Sequence, residues 1–478
     1  MKKLSILVLV IAAAYCGSSW YFGKRIEGLV DTQYAKAQEL NPQLRVVDRS
    51  YHRGIFSSQQ TATFEVPLPA PAKASTNNTS TGKVLRLSVH TNIQHGPLPG
   101  LSALAMGKMH AEILLPDEAP RILIDALHGR PLLSVLSIVS FDGDTHSVLS
   151  SPELELDFTD SKGEAVHISW QGVHGEGNAS ADMKHLTATV EIPTLAITGG
   201  KGQKVAFGGL HVVMDRNQMF DDSLEFPTGS ERIDIDRITL EIPESGKVPV
   251  ELQQVRYGFD IRKSRDQLFD TAAHFGIAGV QIGKDRLGPF HLDLALKHLN
   301  ARAATEMAQA MRKLYANPAL LADEQAFGQQ ALAVFMQYAP EMLGNSPELR
   351  IERVSMSTDK GSLELTGQAN FQDADPRKAM ANPALLLGKL DASADLRLNE
   401  EMVFDLLRNP PGMKQAADTE TTEAMIAQFQ QQVAAFEKMG YVSRDGSNLK
   451  TNARFSGGQL QINGKPFTPM GESTTPQN

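Results

Sequence analysis

The sequence predicts an α+β chain that is mostly β: extended antiparallel meander sheets packed by several helices in the C-terminal half, with one N-terminal transmembrane helix. Three observations predict it. Apolar and polar residues alternate with period two in many short runs parted by Gly, Asp and Asn, the pattern of strands with one buried and one wet face. Helical spacing of apolar residues is concentrated after Asn300, at Met307, Met311 and Leu314 and again at Met425, Phe429, Val433 and Phe436. Residues 4–22 form a run of nineteen with no side chain charged at neutral pH.

The apolar run comes first in the chain. As a helix rising ~1.5 Å per residue it reaches about 28 Å, close to the hydrocarbon thickness of a bilayer. Trp20, Tyr21 and Phe22 close it with rings suited to the headgroup level. Lys2 and Lys3 precede it and Lys24 and Arg25 follow, so flanking charge is nearly balanced. The short N-terminal tail and signal-like layout favour export of the bulk. The competing reading is a cleaved secretory signal with residues 4–11 as its core and Ala12-Ala13-Ala14 as the cleavage site. An uncleaved anchor is preferred because apolar character continues to Phe22. A lipoprotein site at Cys16 is disfavoured by bulky Tyr15 before it. Cys16 is the only cysteine, so the body can form no internal disulfide and has no thiol chemistry.

After the anchor, residues 27–39 predict a short helix ended by Asn41-Pro42. Strands are expected at 44–51, 61–66 and 85–90, with a Pro-, Ser- and Asn-rich linker at 67–82. Helical stretches are expected at 101–109 and 122–140. Alternation returns at 153–158, 166–170, 186–192, 233–236 and 238–242, with turns at Asp142-Gly143-Asp144 and at 172–178. Residues 300–315 predict a helix N-capped by Asn300, followed by a second over 320–338. Strands follow at 349–357, 362–371 and 390–398, a helix at 420–439, and a closing hairpin at 449–455 and 459–463. The expected domains are 1–25, the membrane anchor; 26–299, mostly antiparallel β; 300–470, α+β; and 471–478, a disordered tail. Ala-Asn-Pro-Ala-Leu-Leu occurs at 316–321 and again at 381–386, an echo that chance reuse of a helix start explains nearly as well as duplication.

Composition and motifs exclude more than they assign. With 46 basic and 55 acidic residues the net charge is −9, and no Lys/Arg cluster lies beyond the anchor flanks, so no nucleic-acid partner is expected. Asp142, Asp144 and His146 lack the distal glutamate of a calcium loop and read as a turn. His90 and His95 are five apart and face opposite sides of a strand. His167, His174 and His185 have no zinc spacing. The glycines at 172–177 and 199–202 lack the Walker pattern and read as hairpin turns. No G-x-S-x-G, H-E-x-x-H or C-x-x-C occurs. Catalytic, cofactor-binding and metal-binding residues are therefore none, and no cofactor is expected.

Certain stretches carry a family resemblance. These are Tyr51-His52-Arg53-Gly54-Ile55-Phe56-Ser57-Ser58, then Ile93-Gln94-His95-Gly96-Pro97, then Trp170-Gln171-Gly172, and finally Leu460-Gln461-Ile462-Asn463-Gly464-Lys465-Pro466. In this order behind an N-terminal anchor, they resemble the YdgA-like family of Gram-negative bacterial proteins of unknown function over nearly the whole chain. That family usually carries an aromatic where Ile55 stands. The resemblance implies an inner-membrane anchor with the bulk in the periplasm, and it carries over no catalytic residue. In layout it is also similar to AsmA-like envelope proteins, which pair an N-terminal anchor with a long sheet and are associated with phospholipid transport; this is analogy of fold alone.

The expected function is a non-enzymatic envelope protein that binds or shields lipid on an apolar sheet face, with the inner membrane and phospholipid as partners. The alternative is a structural, self-associating module, a homo-oligomer whose sheets close on a packed core without lipid. An open apolar face favours the first; a face filled by the helices at 300–338 and 420–439 favours the second.

Overall fold

A computed structural model of the chain describes residues 2–40, 45–67, 84–117, 119–160, 163–221, 223, 227–242, 248–265, 267–321, 323–371, 388–412 and 419–467. The chain divides into two units. One comprises residues 1–200, 208–229 and 308–331; the other comprises 201–207, 230–307 and 332–478.

The first unit begins with α1, Lys2–Leu40, an uninterrupted helix of 39 residues. The apolar run of 4–22 and the helix expected at 27–39 are one element, because no Gly-Pro or capping signal separates them and Lys24, Arg25 and Glu27 are all good helix formers. Among the described residues no helix is long and apolar enough to cross a membrane.

Among the described residues ten strands follow: β1 Arg45–Arg53, β2 Ser57–Pro67, β3 Val84–His95, β4 Gly107–Leu114, β5 Leu133–Val139, β6 Thr145–Ser150, β7 Leu154–Thr159, β8 Ala165–Trp170, β9 His174–Ala179 and β10 His185–Gly199. They form an antiparallel meander. β1 to β6 pair each with the next, β9 lies between β6 and β10, and β8 lies between β7 and β10. A short helix, α2, Arg121–Leu127, packs near β7.

The second unit is also built of antiparallel strands. Its strands are β13 Val250–Arg265, β14 Leu268–Ile282, β15 Asp285–Leu287, β16 Phe290–Asn300, β17 Glu348–Thr358, β18 Gly361–Phe371, β19 Leu390–Asn399, β20 Ser443–Asp445, β21 Asn448–Ser456, β22 Gln459–Ile462 and β23 Lys465–Pro466. Pairing runs β13–β14–β16–β17–β18–β19–β21–β22–β23, all antiparallel. Two further strands, β11 Lys204–Asn217 and β12 Thr228–Glu241, contain residues of both units, as do the helices α3 Ala301–Tyr315 and α5 Glu324–Met342. The remaining helices among the described residues are α4 Pro318–Leu321, α6 Glu400–Arg408 and α7 Thr419–Met439. Asn300 caps α3 as expected, its side-chain oxygen accepting from the Ala303 amide at 3.0 Å. Asn399 does the same for α6, accepting from Met402 at 3.2 Å.

Several expectations need correction. Residues 101–109 are not helical: a single 3-10 turn, Pro99–Leu101, gives way to β4 at Gly107. The helix expected over 122–140 stops at Leu127, where His128 and Gly129 take left-handed backbone angles of 52° and 76°, and β5 follows. Residues 172–178 are not a hairpin turn. Gly172 kinks the chain, and Gly175 and Gly177 then sit inside β9 between two partners, where a Cβ at Gly177 would lie 2.8 Å from the Thr187 carbonyl oxygen. The two runs at 233–242 belong to the single strand β12, and the helix expected over 320–338 is two helices, α4 and α5. The repeat at 381–386, the 67–82 linker from residue 68 on, and the tail at 471–478 lie outside the described residues.

Candidate functional site: a helix socket and an open apolar face

Two features of the fold stand out, one buried and one open. The first is the seat of α1. Its apolar stripe, spaced three and four apart, packs Ile26 (0 % exposed), Val30 and their neighbours Phe22, Leu29 and Tyr34 onto Ile93 of β3, Met106 and Val139 of β5. The sheet receives the helix because its residues there are small: at Gly107 an added Cβ would overlap the end of Ile26. Polar contacts pin the length of the helix. Arg25 donates to the carbonyls of Phe141 and Asp142 at 2.9 and 3.2 Å, and Lys36 donates to the Asp182 carbonyl at 2.7 Å. Arg49 pairs with Asp31 at 2.6 Å and lies over the Tyr34 ring.

At the centre of the seat is His95, which is 2 % exposed. Its Nδ1–H donates to the Ile55 carbonyl at 3.0 Å, which leaves Nε2 to accept from the Ser58 hydroxyl at 2.8 Å. Gly23 of α1 rests directly on this ring: a Cβ there would sit 2.5 Å from Nδ1. Next to it, Gly96 donates to the Met106 carbonyl at 2.7 Å and has no room for a side chain against the Ala105 carbonyl oxygen. The residues 51–58 and 93–97, met in the sequence as two separate motifs, therefore build one socket for Gly23. Burial holds the His95 imidazole below the ordinary value of 6.5, the Ile55 carbonyl opposes this, and the Arg53 charge adds to it. The folded state thus binds this proton later than the unfolded chain. The stability it contributes is complete above pH 6.5 and is lost as pH falls through the depressed folded value. Thermal unfolding of the first unit is expected to shift downward between about pH 7 and pH 5, and His95→Asn is expected to flatten that slope. An unchanged slope in the variant would assign the pH dependence to other groups.

The second feature is the apolar face of the second unit. Cross-strand neighbours place Tyr257, Phe275, Leu292, Val354, Leu365 and Leu396 in one row over six strands. At the Leu396 end the row is covered. α6 and α7 lie there, with Met402, Phe404, Ile426 and Val433 buried, Phe404 edge-on to Phe429, and Arg408 clamped to Glu423 at 2.7 Å. Between α7 and the sheet remains a cavity of about 160 Å³ lined by Leu396, Leu398, Phe429, Val433, Phe436 and Leu449. At the other end Tyr257, Phe275 and Leu292 stay 40 %, 39 % and 39 % exposed. In the first unit, Leu156, Ile168 and Ile197 line up likewise, with Phe158 and Ile197 exposed.

Residues 1–470 match the model of the family described as "Bacterial protein of unknown function (DUF945)". The chain belongs to that family. Within it, the chain is similar to "Protein YdgA" of Escherichia coli (strain K12), 22 % identical over 494 residues, covering 98 % of this chain and 95 % of the relative. No solved structure matches. The likeness to the YdgA-like family runs the length of the chain, so the socket and both sheets fall within the family's extent.

Asp142 and Asp144 shape the β5–β6 turn: the Asp142 carboxylate accepts from the Asp144 amide at 3.2 Å, the Asp144 carboxylate from the Ala181 amide at 2.9 Å. His146 pairs with Asn178, and His167 lies between Asp157 and Glu155. His90 is exposed while His95 is buried, as opposite strand faces require. Among the described residues no cluster of three or more His, Cys, Asp or Glu could hold a metal ion. One polar cluster, on the sheet face opposite the Leu292 row, carries no signal in the sequence. There Asp293 accepts from His274 Nδ1–H at 3.1 Å and from Arg353 at 2.8 Å, tying β14, β16 and β17 together. Burial pushes the Asp293 carboxyl up, but the hydrogen bonds from His274 and Arg353 prevail and hold it below the usual carboxylate range.

Proposed function

We propose that this is a non-enzymatic envelope protein, anchored in the inner membrane by α1 with its bulk in the periplasm, whose uncovered sheet face binds or shields lipid. One observation carries the lipid reading: the row ending in Tyr257, Phe275 and Leu292 is continuous with a packed core yet left some 40 % open. Large apolar side chains in contiguous array are seldom left in water without an occupant. The anchor reading is supported by the nineteen-residue apolar run of 4–22 with its basic flanks.

The test is crosslinking in intact cells from a photoreactive residue placed at Phe275. Phospholipid adducts are expected at Phe275 and are expected to vanish when Leu292→Asp is added. Because Leu292 is 39 % exposed, that change is expected to cost about 1 kcal/mol of stability or less and leave the fold standing. Adducts to protein alone would favour the second reading, a structural or self-associating module with a closed core. Its supporting observation is the other end of the row, where α6 and α7 already close the sheet.

A further inference from the structure

The height at which α1 is clasped does not fit a simple transmembrane stalk. The Tyr15 hydroxyl donates to the Leu98 carbonyl at 3.1 Å, its ring stacks on Phe56 at 5.9 Å, and Ser19 donates to the Ile55 carbonyl at 3.0 Å. Two loops, the β1–β2 tip and the β3–β4 connection, therefore grip the helix well inside its apolar run of 4–22. Above the grip only residues 4–14 remain, which as helix reach about 16 Å, roughly half of a ~30 Å hydrocarbon core. The other half of the run, from Tyr15 to Phe22, adds about 12 Å, but it is the half that the loops hold. A bilayer can take up the whole run only if the loops enter it as well.

Their tips are built for that. Leu101 is 83 % exposed and Leu104 76 %, with Ile55 at 52 % and Phe56 at 50 %, all on the two loops that hold Tyr15 and Ser19. Behind the tips come the cations. Lys24 and Arg25 follow on α1, Arg53 lies over the Trp20 ring at 5.4 Å, and Lys108 reaches Ser102 at 3.3 Å. Apolar tips ahead of a basic collar match the sequence of acyl chains and anionic headgroups met on entering a membrane.

We infer that the two loops insert Ile55, Phe56, Leu101 and Leu104 into the leaflet that α1 enters, seating the first unit directly on anionic lipid. This inference rests on the reading of α1 as a membrane anchor.

The test uses the full chain in vesicles of phosphatidylethanolamine and phosphatidylglycerol. Cys16→Ser removes the native thiol, and a single environment-sensitive label is placed through Leu101→Cys, Leu104→Cys or Asp157→Cys; Asp157 is a strand residue with an 83 % exposed side chain. Quenching by aqueous iodide is expected to be about fivefold weaker at positions 101 and 104 than at 157, and lipid-borne quenchers are expected to act only on the first two. If the protein floats with the vesicles but all three labels quench alike, the loops stay in water and this inference falls while the anchor stands. If the protein does not float, the anchor reading fails and the inference with it. Leu101→Glu with Leu104→Glu provides the second check. It is expected to leave thermal unfolding unchanged, since both residues are exposed, while a label at Phe56→Cys becomes accessible to iodide. Continued protection of that label would also overturn the inference.

Discussion

A chain that starts at Gly28 is expected to lose the first unit's fold, whereas one that starts at Tyr15 keeps it. The difference between them is the stripe Ser19, Phe22, Gly23 and Ile26, which fills the seat over His95, Ile93 and Met106. Burying a large aliphatic or aromatic side chain contributes ~1.5–3 kcal/mol, so Ile26 and Phe22 alone account for about 3–6 kcal/mol. Their removal also opens an apolar trough in the sheet beneath. Against a typical domain stability of 5–15 kcal/mol that is a large share. The Gly28 chain is expected to melt about 10 °C or more below the Tyr15 chain, or to be recovered aggregated. Calorimetry of the two side by side decides it. Equal melting temperatures would mean that the seat contributes little to the core. The apolar N-terminal helix is thus part of the folded body from Tyr15 on, although its composition reads as an anchor as far as Phe22.

Gly23→Val is the second large effect. The new Cβ would overlap the His95 ring, and that ring cannot swing away without giving up the Ile55 carbonyl and the Ser58 hydroxyl. A β-branched residue in a helix adds a small further cost. The expected loss is about 3 kcal/mol, at the upper end for overpacking. His95→Ala is destabilising by itself, because it leaves buried Ser58 without its partner. The double variant, however, is expected to be more stable than the sum of the two single losses by about 1 kcal/mol or more, since the ring that blocks valine is gone. Additive losses would show that Gly23 is constrained by something other than His95.

Much of the fold was legible as alternation. The strands at 153–158, 349–357, 362–371 and 390–398 expected from period-two patterning are present within a residue or two, because each has a polar face in water that keeps the pattern visible. Asn300 announced its helix because capping is a local interaction. Local signals failed where a distant partner decides the conformation. Glycine reads as a turn in isolation, but Gly175 and Gly177 are small because β10 and β6 pass close on either side. The apolar residues of 101–109 suit a helix, yet Met106 is claimed by Val139 across the sheet. α6 went unseen, although Asn399 followed by Glu400 and Glu401 is a helix start in plain view. The socket was the least legible part. Gly23 lies 72 positions before His95 in sequence, and alternation, capping and turn chemistry all act over far shorter separations.

The unbroken course of α1 has a mechanical consequence. A domain tied to its anchor by a loop can swivel and tumble, and its heading is random. Here the same helix runs from Lys2 to Leu40 and is bolted to the sheet by Arg25, Asp31 and Lys36 along its second half. With its first turns set in a bilayer, as proposed, any rotation of those turns becomes a rotation of the whole first unit. Such an anchor transmits torque. A neighbour that gripped α1 within the membrane would thereby steer which side of the first unit turns toward it.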